Sequence, residues 1–319
     1  MTLQQISDGI YLDDTIKLDF DAIALDCDGV LVDIRESYDA TINQTVSFIL
    51  KKYTETQIPS ITPKVIAGFK ATGGFNDEID LAYAIILSLY KGNENFIWQV
   101  IKNSNRTGII SAESYILEKY PETEILKKEI NYFNDKNNII KSIFDELFYG
   151  KILYKKFFNK ESRFTDEGLI KKDEIILNKD TVTFLQKIFN EKIVMVTGRG
   201  LNSVRYSLDE FMDKINLDAS IFLEDESRNL AKPNPESLIR AITKMQSSHC
   251  VFVGDSMEEL IMSKDATSRG FKTTFCGIIG NTHQEQREER LELFKKSGAT
   301  IILDSINLLP KILNSAQPK

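Results

Sequence analysis

Two carboxylates, Asp26 and Asp28, stand at the end of a short apolar run in the stretch Ile23-Ala24-Leu25-Asp26-Cys27-Asp28-Gly29-Val30-Leu31-Val32-Asp33. A run of Ile, Ala and Leu bounded by turn residues reads as a buried strand, and Gly29 lets the backbone turn sharply behind it. Strand alternation puts positions 26 and 28 on the same side. In an open α/β sheet ligands bind beyond the carboxyl ends of the strands, so both acids would point into that crevice as candidate catalytic groups. Asp-Gly is also an ordinary hairpin turn, and the pair alone leaves both readings open.

Further along, three more segments deliver polar groups in the same manner. Lys192-Ile193-Val194-Met195-Val196 is a second apolar run that ends in Thr197-Gly198-Arg199. Lys232 follows in Ala231-Lys232-Pro233-Asn234-Pro235, and Cys250-Val251-Phe252-Val253 ends in Gly254-Asp255-Ser256-Met257-Glu258-Glu259. The chemistry this set suits is phosphoryl transfer to an aspartate followed by hydrolysis of the aspartyl-phosphate. Such a reaction asks a protein chiefly for positioning and charge neutralisation. The Thr197 hydroxyl, the Gly198 N–H and the Lys232 ammonium fit that role. Asp255 and Glu259 lie four residues apart at the start of a helix, hence on one side of it. With Asp26 and the Asp28 carbonyl they offer hard oxygen ligands of the kind magnesium takes. Each part also has a plainer reading. Lys232 can be a surface lysine before a turn, Asp255 and Ser256 can cap the helix, and Glu258 and Glu259 can simply favour its positive end. Arg199 could reach a substrate anion, or be solvated as loop arginines commonly are.

These four segments, in this order and at these separations, resemble the four signature motifs of the haloacid-dehalogenase-like (HAD) hydrolase superfamily. The resemblance covers the whole chain and is nearest to the subgroup that includes phosphoglycolate-phosphatase-like enzymes. Two phrases of the insertion between the first two motifs, Gly68-Phe69-Lys70-Ala71-Thr72-Gly73-Gly74-Phe75 and Phe144-Asp145-Glu146-Leu147-Phe148-Tyr149-Gly150, look like an uncharacterised branch of it. The resemblance implies Asp26 as nucleophile, with Asp28 as the acid that protonates the leaving alkoxide and the base that then activates water. Dehalogenases of the superfamily generally lack that second acid, since a halide leaves without a proton, so Asp28 favours a magnesium-dependent phosphatase. A phosphomutase using the same aspartyl-phosphate is the alternative among enzymes. A low-activity binding or regulatory protein on the same fold is the alternative outside them. One departure from the family pattern is that the later metal-binding acid is commonly Asp and here is Glu259, with Glu258 beside it; both remain candidates. The substrate would be a small phosphorylated metabolite, read by the insertion. Arg35, Lys70 and Asn76 are its candidate contacts, together with Arg199, and Gly68 to Asp77 is the loop expected to carry two of them.

Composition fits this picture. The 319 residues hold 42% hydrophobic and 27% charged residues, as a soluble globular protein of two ordinary domains would. With 40 basic against 47 acidic residues the net charge is −7, and the lysines come in scattered pairs (Lys51-Lys52, Lys127-Lys128, Lys155-Lys156, Lys171-Lys172). No stripe for nucleic acid results. Cys27, Cys250 and Cys276 have no metal-type spacing and read as small buried hydrophobes in a reducing compartment. No apolar run reaches the length of a membrane span, and Met1-Thr2-Leu3-Gln4-Gln5 lacks the basic and apolar regions of a signal sequence, so a cytoplasmic protein is expected.

The elements that must position these groups alternate with a helical insertion. Residues 1–21 read as a polar lead-in. Tyr38, Ile42, Val46, Ile49 and Leu50 recur at helical spacing, Pro59 and Pro63 mark a loop, and Ile79 to Tyr90 is an almost all-round apolar helix. Helical pattern continues to Lys172, broken by the Asn- and Asp-rich 131–138. Strands are expected near 193–196, 220–223, 250–253, 273–278 and 299–303, alternating with helices, which implies a parallel sheet covered on both faces. The expected architecture is an α/β, Rossmann-like HAD core at 1–34 and 178–319 with an inserted α-helical cap at 35–177. Phe75, Tyr83 and Trp98 read as core of the insertion, and His249 and His283 show no partners.

Overall fold

The run ahead of Asp26 forms a strand, Ala22–Leu25, whose residues are all buried, as a strand covered by helices on both faces requires. The computed structural model describes residues 3–55, 57–75, 77–133, 138–281 and 284–315. The chain divides into two compact units, one of Met1–Asp33 with Glu174–Lys319 and the other of Ile34–Asp173. In chain order the strands are β1 (Leu3–Ser7), β2 (Ile10–Asp13), β3 (Ala22–Leu25), β4 (Val32–Asp33), β5 (Glu174–Ile175), β6 (Ile193–Thr197), β7 (Ile221–Phe222), β8 (Cys250–Gly254), β9 (Thr273–Ile278) and β10 (Ile301–Leu303).

Eight of them form the sheet of the first unit, in the order β1-β2-β10-β9-β8-β3-β6-β7. From β10 to β7 every neighbouring pair is parallel, which is the Rossmann-like α/β core. Alternation along β3 sorts its side chains. Ala22 and Ala24 join Val194, Val196, Ile221, Cys250 and Phe252 under the helices Glu236–Met245 and Met257–Ser268, while Leu25 faces the other way, towards Val182 and Leu185 of the helix Lys179–Phe189. Residues 1–21 are more than a lead-in. They supply the antiparallel hairpin β1–β2, which extends the sheet beyond β10. Its turn is Asp8-Gly9, with Gly9 at φ +68°, so an Asp-Gly hairpin does exist in this chain, at 8–9. The strand β2 is too short for alternation to reveal it. β4 pairs with β5 antiparallel, and Ile176 and Leu177 donate N–H bonds to the Leu31 carbonyl at 2.9 and 3.3 Å.

The second unit, among its described residues, is helical. Glu78–Lys91 has ten buried residues and is started by Asp77, whose carboxylate accepts from the Ile79 N–H at 2.7 Å. Asn131 ends one helix in the left-handed conformation and Asn138 caps the next, so the Asn-rich break is a pair of helix ends. Phe75 and Tyr83 are fully buried as expected, but Trp98 is 39% exposed. In Glu94–Asn103 the buried face is Phe96, Ile97 and Val100, and Trp98 lies off it, its ring edge covering Gly68. Pro63 opens a helix, Pro63–Ala71, in place of extending a loop, because a proline's fixed φ suits the first helical turn. Gly68, Phe69 and Lys70 are therefore helical, which corrects the reading of Gly68 to Asp77 as one loop. Gly73-Gly74 also has a different cause from ligand approach. A Cβ on Gly74 would lie 2.5 Å from the Gly108 nitrogen and 2.6 Å from the Asn105 carbonyl oxygen. Two backbone segments touch there, and only glycine fits between them.

Gly74→Ala should therefore destabilise the protein by about 1–3 kcal/mol, as overpacking does. Urea unfolding followed by circular dichroism would measure it; a loss below about 0.5 kcal/mol, the size of an ordinary surface substitution, would show that the two segments can part freely.

Candidate active site

Asp26 continues β3 by one residue, its N–H donating to the Val253 carbonyl at 2.9 Å. Because Leu25 is opposite Met195 on one side and Val253 on the other, the strand ends of β6 and β8 flank it. The chain then folds back: the Cys27 carbonyl accepts from the N–H groups of Val30, Leu31 and Val32 at 3.3, 2.8 and 3.1 Å. Gly29 makes this possible twice over. It sits at φ +72°, and a Cβ on it would overlap the Asp255 carboxylate. The loop after the first strand thus lies directly against the acid delivered by β8.

Lys232 is held in this same place. Its Nζ lies 2.8 Å from Asp26 Oδ1 and 2.6 Å from Glu259 Oε1, and its side chain is 11% exposed. A solvated surface lysine is excluded. Glu259 also works on the backbone. Its Oε2 accepts from the Ser256 N–H at 2.7 Å while Ser256 Oγ accepts from the Glu258 N–H at 3.2 Å, the reciprocal capping of the helix Met257–Ser268. The helix cap and the polar cluster are one structure, with Glu259 buried and Glu258 half-buried beside it. Thr197 closes β6 and is fully buried, whereas Gly198 is exposed and a Cβ on it would meet nothing within 4 Å.

Arg199 is 3% exposed, which removes the reading of a solvated loop arginine. Its Nε donates to Asp28 Oδ1 at 2.6 Å, and its Nη1 reaches Ser207 Oγ at 2.9 Å and Ser203 Oγ at 3.4 Å. Two groups that the sequence pattern does not reveal complete the surroundings. Arg290 Nη1 lies 3.1 Å from Asp255 Oδ2, and Asn281 Nδ2 donates to the Gly29 carbonyl at 2.5 Å. Arg290 lies in the charge-dense helix Gln284–Lys296, among many charged residues from which no local pattern singles it out.

Asp26, Asp255 and Glu259 each present a carboxylate oxygen, all within 4.8 Å of one another. Burial, only partly offset by Lys232 and reinforced by Glu259, Asp28 and Asp255, pushes the Asp26 carboxyl up to about 7. Burial opposes the Lys232 charge, but Asp26 and Glu259 outweigh it and hold the ammonium above its usual range. Glu259 is held below its usual range: Lys232 and the Ser256 contacts outweigh the cost of its burial. The cluster is a set of hard oxygen donors with more negative charge than its buried ammonium can balance, and a divalent cation such as magnesium fits it.

Of the remaining candidates, Arg35 begins the helix Arg35–Leu50 and Lys70 is ion-paired with Glu78 at 3.0 Å, both within the second unit. Asn76 and His283 lie outside the described residues. His249 does have partners, Asp19 Oδ1 at 2.6 Å and Thr274 Oγ1 at 3.0 Å, but it precedes β8, at the opposite end from Asp255. Cys27, Cys250 and Cys276 are fully buried. No helix among the described residues is long and apolar enough to cross a membrane.

The family model for haloacid dehalogenase-like hydrolases matches residues 20–267, a span that holds all four polar segments and the insertion between the first two. The chain belongs to this family. Among solved structures, the HAD fold is shared with the phosphatase Tt82 from Thermococcus thioreducens at 21% identity and a TM-score of 0.57, covering 85% of this chain and 98% of that one. A hydrolase from Pseudomonas syringae is similar at 14% identity and a TM-score of 0.51, with 93% and 98% covered. A predicted phosphoglycolate phosphatase from Haemophilus somnus is similar at 15% identity and a TM-score of 0.50, with 92% and 97% covered. No curated protein matches the chain.

The raised Asp26 carboxyl has a stability consequence whose sign follows from linkage. Folded, it keeps its proton up to about pH 7, against an ordinary value of 3.8 in the unfolded chain. Between these values the folded state binds more protons, so this group's contribution to stability is present below the lower value and is lost as pH rises through the window. Without divalent cations, Asp26→Asn should be more stable than wild type at pH 8 by on the order of a few kcal/mol, and the gap should close below pH 4. Thermal melts in a chelator across this range would test it; an Asp26→Asn protein less stable than wild type at pH 8 contradicts the electrostatics.

Proposed function

We propose that this HAD-family chain is a magnesium-dependent phosphatase that hydrolyses a small phosphomonoester metabolite through a phosphorylated Asp26. The observation that carries the reading is a buried carboxylate at the end of the central strand, sharing the Lys232 ammonium with Glu259 and lying beside Asp255. In the first step an Asp26 oxygen forms a bond to phosphorus, the ester P–O bond breaks, and Asp28 gives its proton to the departing oxygen. In the second, Asp28 takes a proton from water, the water oxygen bonds to phosphorus, and the P–O bond to Asp26 breaks. Phosphate leaves, with Asp26 regenerated and Asp28 protonated again. Lys232, the Thr197 hydroxyl and the Gly198 N–H face the charge spread over the phosphoryl oxygens. Asp26, Asp255, Glu259 and the Asp28 carbonyl are the oxygen donors that would hold Mg²⁺, whose chemistry when bound is to neutralise phosphoryl charge and favour ionised Asp26. Asp28 favours phosphate esters over halides as substrates, because an alkoxide needs a proton on leaving.

Phosphate release from a panel of metabolite monoesters, with and without Mg²⁺, tests the reading. Asp26→Asn removes the nucleophile at nearly constant volume and should lower turnover by about 10³-fold or more in a folded protein. Substantial phosphatase activity in that variant would sink the mechanism. In Asp255→Ala the Mg²⁺ requirement should rise by more than about tenfold, with excess Mg²⁺ recovering part of the rate. If neither metal affinity by titration calorimetry nor rate changes, Asp255 serves only Arg290 and the packing against Gly29.

A further inference from the structure

The mechanism above uses Asp28 twice, yet the backbone alone does not say what holds its carboxyl group in place, since it stands on a turn and its side chain is 22% exposed. We propose that Arg199 is a positioning residue for Asp28: its buried, braced guanidinium fixes the direction in which the carboxyl group points. The inference rests on the phosphatase reading and deepens it.

Burial sets the first requirement. An arginine side chain that is 2% exposed needs protein partners for its donors, because an unpaired buried cation is very costly. The partners here come from two directions. In front, Nε donates to Asp28 Oδ1 at 2.6 Å. Behind, Nη1 reaches Ser203 and Ser207, which follow Arg199 at intervals of four and so share one face of the helix Leu201–Ser207. That helix is itself tied down at its start: the Gly200 N–H donates to Glu224 Oε2 at 3.1 Å and the Leu201 N–H to Asp225 Oδ2 at 2.8 Å. The chain from Glu224 and Asp225 through the helix to the two hydroxyls braces a planar group with few positions available to it. A rigid cation is thereby aimed from the loop after β6 at the acid on the loop after β3.

Its effect on the reaction is directional. Proton transfer to the leaving oxygen needs the Asp28 carboxyl group within hydrogen-bond reach and correctly aimed, and a side chain on a turn, 22% exposed, has other directions open to it unless something holds it. Arg199 holds Oδ1 from behind and keeps its own charge throughout. A merely structural ion pair, tying two loops together, would not distinguish substrates by their leaving groups. A guanidinium that aims Asp28 does, because only a poor leaving group depends on the proton from Asp28.

The experiment compares an alkyl phosphate with p-nitrophenyl phosphate, under saturating Mg²⁺, in full-length wild type, Arg199→Gln, Arg199→Lys, Asp28→Asn and the double variant Asp28→Asn with Arg199→Gln, each checked for folding by circular dichroism. For the alkyl phosphate, kcat of Arg199→Gln should fall about 100-fold with KM within about threefold, and for p-nitrophenyl phosphate it should fall less than about tenfold. Arg199→Lys keeps the charge without the fork and should recover part of the alkyl loss. With Asp28 already changed to Asn, adding Arg199→Gln should cost little more, since the two residues act as a unit. Equal losses on both substrates, or full additivity in the double variant, overturn the proposal while leaving the phosphatase reading intact. Failure of wild type to release phosphate from either ester overturns that reading and this one together. Should Arg199→Gln not fold, the Arg199→Lys substrate ratio decides the matter by the same criterion.

Discussion

Everything at the strand ends depends on one ammonium. Lys232 lies between Asp26 and Glu259, within 2.8 and 2.6 Å, and both acids are more deeply buried than the lysine itself. An ion of this kind left without its partner costs about 3–5 kcal/mol, which exceeds what any single hydrogen bond nearby could return. Lys232 therefore depends on keeping an ionised acid beside it, and Glu259 fills that place even when Asp26 is neutral. Glu259 extends the dependence further, because the carboxylate that holds Lys232 also closes the cap on the helix Met257–Ser268. The first turn of that helix, the lysine from the loop before Glu236–Met245 and the acid at the end of β3 are thus locked into one arrangement by charge, and the parallel sheet beneath supplies only their common direction. One ammonium between two carboxylates leaves negative charge over, with Asp255 adding more, and burial first, then these neighbouring acids, raise the Asp26 carboxyl.

Backbone closeness is the second constraint. The Asp26 to Asp28 loop could not approach Asp255 if position 29 carried a side chain, and the same φ of +72° that turns the chain also opens that space. In the second unit Gly74 and Gly108 do the equivalent for two backbone segments between helices. The same residue type thus serves the polar cluster in one place and plain packing in the other, and type alone does not tell which.

That ambiguity marks how far the sequence can be read. Strand ends are legible because apolar runs bounded by turn residues are local patterns, and the family resemblance places Asp26, Thr197, Lys232 and Asp255 in a recognisable order. The helices around Ile42 and Ile85 are legible from their periodicity. What escapes is either too short or too distant. The four residues of β2 carry no period, and only the Asp8-Gly9 turn hints at the hairpin. Trp98 reads as core because size alone argues for burial, whereas its place on the helix is set by Phe96, Ile97 and Val100. Arg199 and Arg290 escape for a different reason: an arginine's direction depends on partners far away in the chain, Asp28 for one and Asp255 for the other. Pattern reading has no access to such pairs.

Those two arginines, with Lys232, also show how four acids in one small volume are kept from acting alike. Asp26 and Glu259 share a compact, centrally placed ammonium. Asp28 faces a planar guanidinium braced by two serine hydroxyls, and Asp255 faces another that is 28% exposed on the helix Gln284–Lys296. A lysine charge is a point that can be shared between two oxygens, while an arginine fork prefers one carboxylate in one orientation. One type of cation thus accompanies each acid: Asp26 and Glu259 share Lys232, while Asp28 and Asp255 each face an arginine.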